Sequence, residues 1–107
     1  MTTQEEIAGW VTAGGVPCQV SFFPGTVPAL TQKMAVVHRK QAKGSLEEFS
    51  VTVAVPAFLG GKVCEETAWK IYEMLTGRDG KCSLAPCGFD AMADCFFQEV
   101  TVHWTEN

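Results

Sequence analysis

One stretch constrains the fold more than any other. From Glu48 to Val55 the chain alternates without a break, with Phe49, Val51, Val53 and Val55 on one parity and Glu48, Ser50, Thr52 and Ala54 on the other. A period of two belongs to a β-strand with one buried and one more polar face. Pro56 ends that strand, because it has no N–H to give to a ladder. A second long alternation closes the chain. Between Cys95 and Trp104, the residues Phe96, Gln98, Val100, Val102 and Trp104 oppose Phe97, Glu99, Thr101 and His103.

Helical spacing occurs twice. Thr3-Gln4-Glu5-Glu6 fits a capping box, and Ile7, Trp10 and Val11 follow at helical intervals before Gly14-Gly15, which predicts a helix from Gln4 to Ala13. After Gly60-Gly61, the residues Cys64, Ala68, Ile71, Tyr72 and Leu75 form an apolar stripe at spacings of three and four. That predicts a main helix from Val63 to Thr76, with Glu65 and Glu66 in its first turn and Gly77 as its C′ residue.

Shorter segments complete the layout. Cys18 to Phe23, between Pro17 and Pro24-Gly25, reads as a strand, and Thr26 to Gln32 as a loop. Met34 to Lys40 reads as a second strand with a solvated far end, followed by a hairpin loop from Gln41 to Leu46. Lys81 to Ala85 reads as a short strand and Pro86 to Asp94 as a loop. The order is α-β-β-β-α-β-β. The expected fold is therefore one α+β domain over residues 1–107, an antiparallel or mixed sheet of four to five strands with both helices on one face.

Composition narrows the function. The formal net charge is -4 and the sequence pI about 5.0, with basic residues dispersed apart from a loose group at Lys33, His38, Arg39, Lys40 and Lys43. Nucleic-acid binding wants a basic face, so it is not expected. No apolar run is long enough to span a bilayer, and the first residues lack the basic and apolar regions of a signal peptide. A cytoplasmic chain without a membrane partner is expected. The five cysteines, Cys18, Cys64, Cys82, Cys87 and Cys95, are an odd number, which suits free thiols in a reducing compartment. Thiol titration of the denatured protein should count five, and elemental analysis should find no stoichiometric zinc.

Residue patterns that could carry chemistry are weak. Cys82, Cys87 and Cys95 offer three ligands for a zinc-stabilised adaptor, but structural zinc usually takes four ligands in closely spaced pairs. A thiol from Cys18, Cys64 or Cys95 beside His38 or His103 would make a nucleophile and base, yet nothing in the spacing joins them. Asp90 and Asp94 read as turn residues before paired carboxylates. Gly60-Gly61-Lys62 precedes a helix but lacks the remainder of a phosphate loop. Trp10, Trp69 and Trp104 read as core or interface anchors. No catalytic, cofactor-binding or metal residue is assigned, and a domain that acts through its faces and edges is expected.

The order of elements resembles the tail-terminator, or tail-completion, proteins of tailed bacteriophages and prophages, a group with small minor capsid-like chains. The likeness lies in the N-terminal helix with Trp10, the segment Phe22-Phe23-Pro24-Gly25, the hairpin, and the helix from Glu65 to Leu75. It continues through Leu84-Ala85-Pro86 and Gly88-Phe89-Asp90 into the strand from Cys95 to Trp104. It is a likeness of layout and contains no sharp motif. It implies an α+β protein without catalysis or cofactor. It also implies a closed homo-oligomeric ring on the tail that meets tail-tube or head-connector proteins and enters the virion. Two alternatives remain: a small ligand-binding or regulatory domain, and the zinc-stabilised adaptor.

Overall fold

A computed structural model describes residues 3–20, 32–43 and 46–105. It is an α+β fold with a six-stranded mixed sheet. In chain order the elements are α1 (Gln4–Ala13), β1 (Cys18–Val20), β2 (Met34–Lys43), β3 (Leu46–Pro56), a single 3-10 turn (Ala57–Leu59), α2 (Gly61–Thr76), β4 (Lys81–Leu84), β5 (Gly88–Asp90) and β6 (Cys95–Thr105). The sheet runs β1-β2-β3-β6-β4, and β5 also pairs with β6. β1 and β2 are parallel; every other pairing is antiparallel.

The alternating strands set the centre of the sheet. Val51 sits opposite Val37 on β2 and Val100 on β6, and Phe49 lies opposite Val102. The same parity carries Ala35, Val37, Phe49, Val51, Val53, Val55, Val100 and Val102, all buried in one core. Both helices cover that face. Ile7, Ala8 and Val11 come from α1, and Cys64, Ala68, Ile71 and Leu75 from α2, with Tyr72 packed at the margin. The expected contact between the Phe49–Val55 face and the α2 stripe is present.

Helix α1 starts as its sequence requires. The Thr3 hydroxyl accepts the Glu6 N–H at 3.1 Å, and the Glu6 carboxylate accepts the Thr3 N–H at 3.1 Å. Each bond satisfies a donor that the helix leaves open. Thr3→Ala should lower unfolding free energy by about 1 kcal/mol in a urea titration, with the slope unchanged.

Several boundaries differ from the sequence reading. Helix α2 begins at Gly61, two residues early, because Gly60 takes φ 90 and ψ 155, a conformation open to glycine alone, and Gly61 packs under the Phe96 ring. Glu65 and Glu66 therefore stand in the second turn, where the helix dipole helps them less. Gly77 is right-handed, and the left-handed residue after α2 is Asp79 at φ 65. β2 runs on to Lys43, and Lys43 pairs with Leu46, so Gln41 to Lys43 and Leu46, expected in a connecting loop, belong to the strand pair. The register shifts by one between Arg39 and Gln41, making Lys40 the extra residue of a bulge. The expected strand end at Phe22-Phe23 and most of the loop from Thr26 to Gln32 lie outside the described residues.

The largest difference is β5. The segment Gly88–Asp90, read as loop, pairs antiparallel with Cys95–Phe97. β4 occupies the same edge of β6 further along, at Val100–His103. The two form one edge strand broken at Ala85-Pro86-Cys87, across which the register moves by one residue. Proline there leaves no N–H to pair, and the bulge twists the edge away from outside strands.

Candidate functional site

Sequence reasoning assigned no site, and the structure separates the cysteines weighed as a zinc site and the thiols from the histidines weighed as bases. Cys82 pairs with Val102 while Cys95 opens β6, seven residues away. At about 3.3 Å per residue, that is more than 20 Å, which no single zinc ion bridges. Among the described residues no group of three or more His, Cys, Asp or Glu converges as a metal site. Cys18, Cys64, Cys82 and Cys87 belong to the helix-side core or its margin. His38 and His103 stand on the other face, opposite Ser50 and Glu48 respectively. The sheet thus lies between these four thiols and both imidazoles. Cys95 shares the histidines' parity but lies eight residues along β6 from His103.

Asp90 and Asp94 shape a turn. The Asp90 carboxylate accepts the N–H groups of Met92 and Ala93 at 2.9 and 3.2 Å, and Asp94 takes φ 53. These bonds hold the β5–β6 connection in place. Trp10 and Trp104 meet edge to face with centroids 6.2 Å apart, and the Arg78 guanidinium lies 4.2 Å above the Trp10 ring. The Trp104 indole donates to the Arg78 carbonyl at 2.9 Å. They seal one end of the core. Trp69 instead stands half exposed on α2, stacked on Tyr72 with centroids 5.0 Å apart.

The outer face of the sheet divides in two. One half is apolar, with Met34, Val36 and Ala54 buried and Phe97 packed against them. The other half is polar. The Ser50 hydroxyl, fully buried, donates to Glu99 at 2.6 Å, and Thr101 donates to the second Glu99 oxygen at 3.4 Å. The Ser50–Glu99 bond ties β3 to β6 on the outer face. Beside α2, a cleft of about 320 Å³ is bounded by Lys33, Val63, Glu66, Thr67 and Lys70. The Thr67 hydroxyl is committed to the Val63 carbonyl at 2.7 Å. The remaining polar ends that line it are two ammonium groups and one carboxylate.

The feature the sequence reading missed is an apolar tip. β3 ends and β6 begins side by side, joined by the Ala57 N–H to the Asp94 carbonyl at 3.0 Å. Around that end Phe58 is 74% exposed, Phe89 53%, Met92 98% and Leu59 37%. Phe89 rests on Phe96 with centroids 4.9 Å apart. Single exposed apolar residues are ordinary; here four large ones stand on the 3-10 turn, on β5 and on the turn that follows it. Their signal was present: Phe58 and Leu59 lie between Pro56 and Gly60-Gly61, where neither a strand nor a helix can bury them.

Burial raises the thiols. Cys18 is pushed up to about 11 and Cys64 to about 12 by desolvation, Cys64 with further help from the neighbouring Cys87 sulfur. Raised thiols are poor nucleophiles at neutral pH.

No protein-family model matches the chain, and no curated protein matches its sequence. No helix among the described residues is long and apolar enough to cross a membrane.

Proposed function

We propose that this protein is a non-catalytic assembly component that works by binding other protein surfaces. The exposed tip of Phe58, Leu59, Phe89 and Met92 carries that reading. Interface cores are rich in aromatic residues and Met, and each large side chain buried there contributes roughly 1.5–3 kcal/mol. The tip is set on a strand pair and a hydrogen-bonded turn, so little ordering entropy is lost when it docks. The layout of elements supports a finer proposal: a tail-terminator or neck component of a tailed phage or prophage. That protein would close into a homo-oligomeric ring and contact tail-tube or head-connector proteins, with no cofactor, metal or nucleic acid.

Sedimentation velocity across protein concentration and salt tests the assembly. The expected result is a monomer that gives way to one closed oligomer as concentration rises. Salt should strengthen association, because subunits of net charge -4 repel one another. Replacing Phe58 and Met92 together with serine should weaken association at least about tenfold while leaving the melting curve in place. A strict monomer under all conditions, with no binding to a tail-tube protein, removes this function.

A further inference from the structure

Two thiols meet across the seam between α2 and the broken edge strand. Cys64 lies one turn into α2, fully buried. Cys87 is the last residue of the break between β4 and β5. The register after the break, in which Gly88 faces Phe97 and Phe89 faces Phe96, turns Cys87 toward the helices beside Gln98. Both residues pack in the same core, Cys87 at its rim and half-buried. Cys87 packs against the buried cluster that holds Cys64, close enough for its sulfur to raise the Cys64 thiol, and the Cys87 thiol leans on the Gly88 carbonyl at 4.0 Å. The start of α2 lies over the neighbouring β6, with Gly61 against the Phe96 ring, two residues from Gln98 on the same face. No other pair among the five thiols is so placed. Cys82 leans on the Gly80 carbonyl and Cys95 on that of Ala93, while Cys18 sits on β1 at the opposite edge of the sheet.

We propose that Cys64 and Cys87 form a reversible redox pair that staples α2 to the edge strand when a low-molecular-weight disulfide is present. Cys87 is the accessible member. Its thiolate attacks one sulfur of the reagent disulfide and expels one thiolate. The Cys64 thiolate then attacks the Cys87 sulfur and expels the second. Two cysteine protons pass to the two reagent thiolates, so the protein loses two electrons and the reagent gains them. Closure needs the two sulfurs to approach to about 2.05 Å. The broken strand can supply that movement, since Cys87 lies outside the regular ladder. The second step depends on a thiol raised by burial, so closure is slow near neutral pH and quickens as pH rises. The staple would hold β5, and Phe89 with it, against the helix layer.

The test uses the whole protein treated with oxidised glutathione at mildly alkaline pH, then digested without reductant and mapped by mass. Wild type should give one Cys64–Cys87 cross-linked peptide pair, lost on reduction. Its melting temperature should rise by roughly 10 °C on oxidation, as expected for closing a loop of this length in a domain of this size. Cys87→Ser, altered at a half-exposed position that leaves the core filled, should give neither the cross-link nor the rise. Three outcomes overturn the proposal: a stable glutathione adduct on Cys87 without Cys64 joining, a cross-link to any other cysteine, or a disulfide between two molecules.

Discussion

Val53→Asp should lower stability by at least about 3 kcal/mol, enough to leave little folded protein at 37 °C. Val53 is fully buried at the middle of β3, with Ala35 opposite on one side and Gln98 on the other. An aspartate there loses the valine's apolar contacts and carries a carboxylate into a core where the buried polar groups among the described residues are Ser50, Thr67 and Gln98, none of them a cation. It must stay charged without a partner or take up a proton at a cost. The loss compares with a total stability of roughly 5–15 kcal/mol for a domain of this kind. Differential scanning calorimetry should show the transition moved down by more than about 12 °C, or no transition at all. Thr52→Asn, one residue away on the outer face, should stay within about 1 kcal/mol of wild type. An unmoved Val53→Asp transition would reverse the assignment of the sheet's faces.

The fold was legible where a period ran long enough to exclude alternatives. β3 and β6 each hold alternation over most of their length, and α2 holds its stripe from Cys64 to Leu75, so which faces meet followed directly. Short pieces were not legible. β5 has three residues and begins with glycine two residues after Pro86, so nothing local favours a strand. It exists because the first part of β6 extends beyond β4 and its outward N–H and C=O groups need partners. Gln98 shows the same dependence on tertiary context. A glutamine in the apolar stripe of β6 is unexplained by pattern. In the structure its amide donates to the Ala85 carbonyl at 2.7 Å, a group freed by the break at Pro86.

The surfaces were less legible than the core. Residues bracketed by proline and glycine, such as Phe58 and Leu59, were passed over because they match no period. That mismatch is what leaves them in solvent. The pairing of Cys64 with Cys87 was hidden for another reason. The residues are 23 apart, and their meeting depends on the one-residue register change between β4 and β5. Without that shift Cys87 would face outward, because every slip of one residue moves a side chain to the other face.

Gly80→Ala should destabilise by about 2–3 kcal/mol, and Gly9→Ala should stabilise by about 0.5–1 kcal/mol. The two substitutions are chemically identical, and both restrict the unfolded chain in the same favourable direction. Their surroundings decide the sign. At Gly9, on the exposed side of α1, an added methyl meets nothing within 4 Å. The helix keeps its backbone and gains a residue that prefers it. At Gly80, between α2 and β4, the methyl would lie 2.7 Å from Val102 Cγ2, 2.9 Å from the Leu75 carbonyl oxygen and 3.1 Å from Trp104. The Leu75 oxygen cannot retreat, because it accepts the Gly80 N–H at 3.0 Å and ends the helix. Val102 is pinned by Phe49 and Cys82 on either side. Relief must come from moving β4 off α2, which loosens the Trp104 indole from the Arg78 carbonyl and opens that end of the core. Chemical denaturation of both variants beside wild type measures the difference. Equal midpoints for the two would mean that the approach of strand to helix at Gly80 is not a fixed element of the fold.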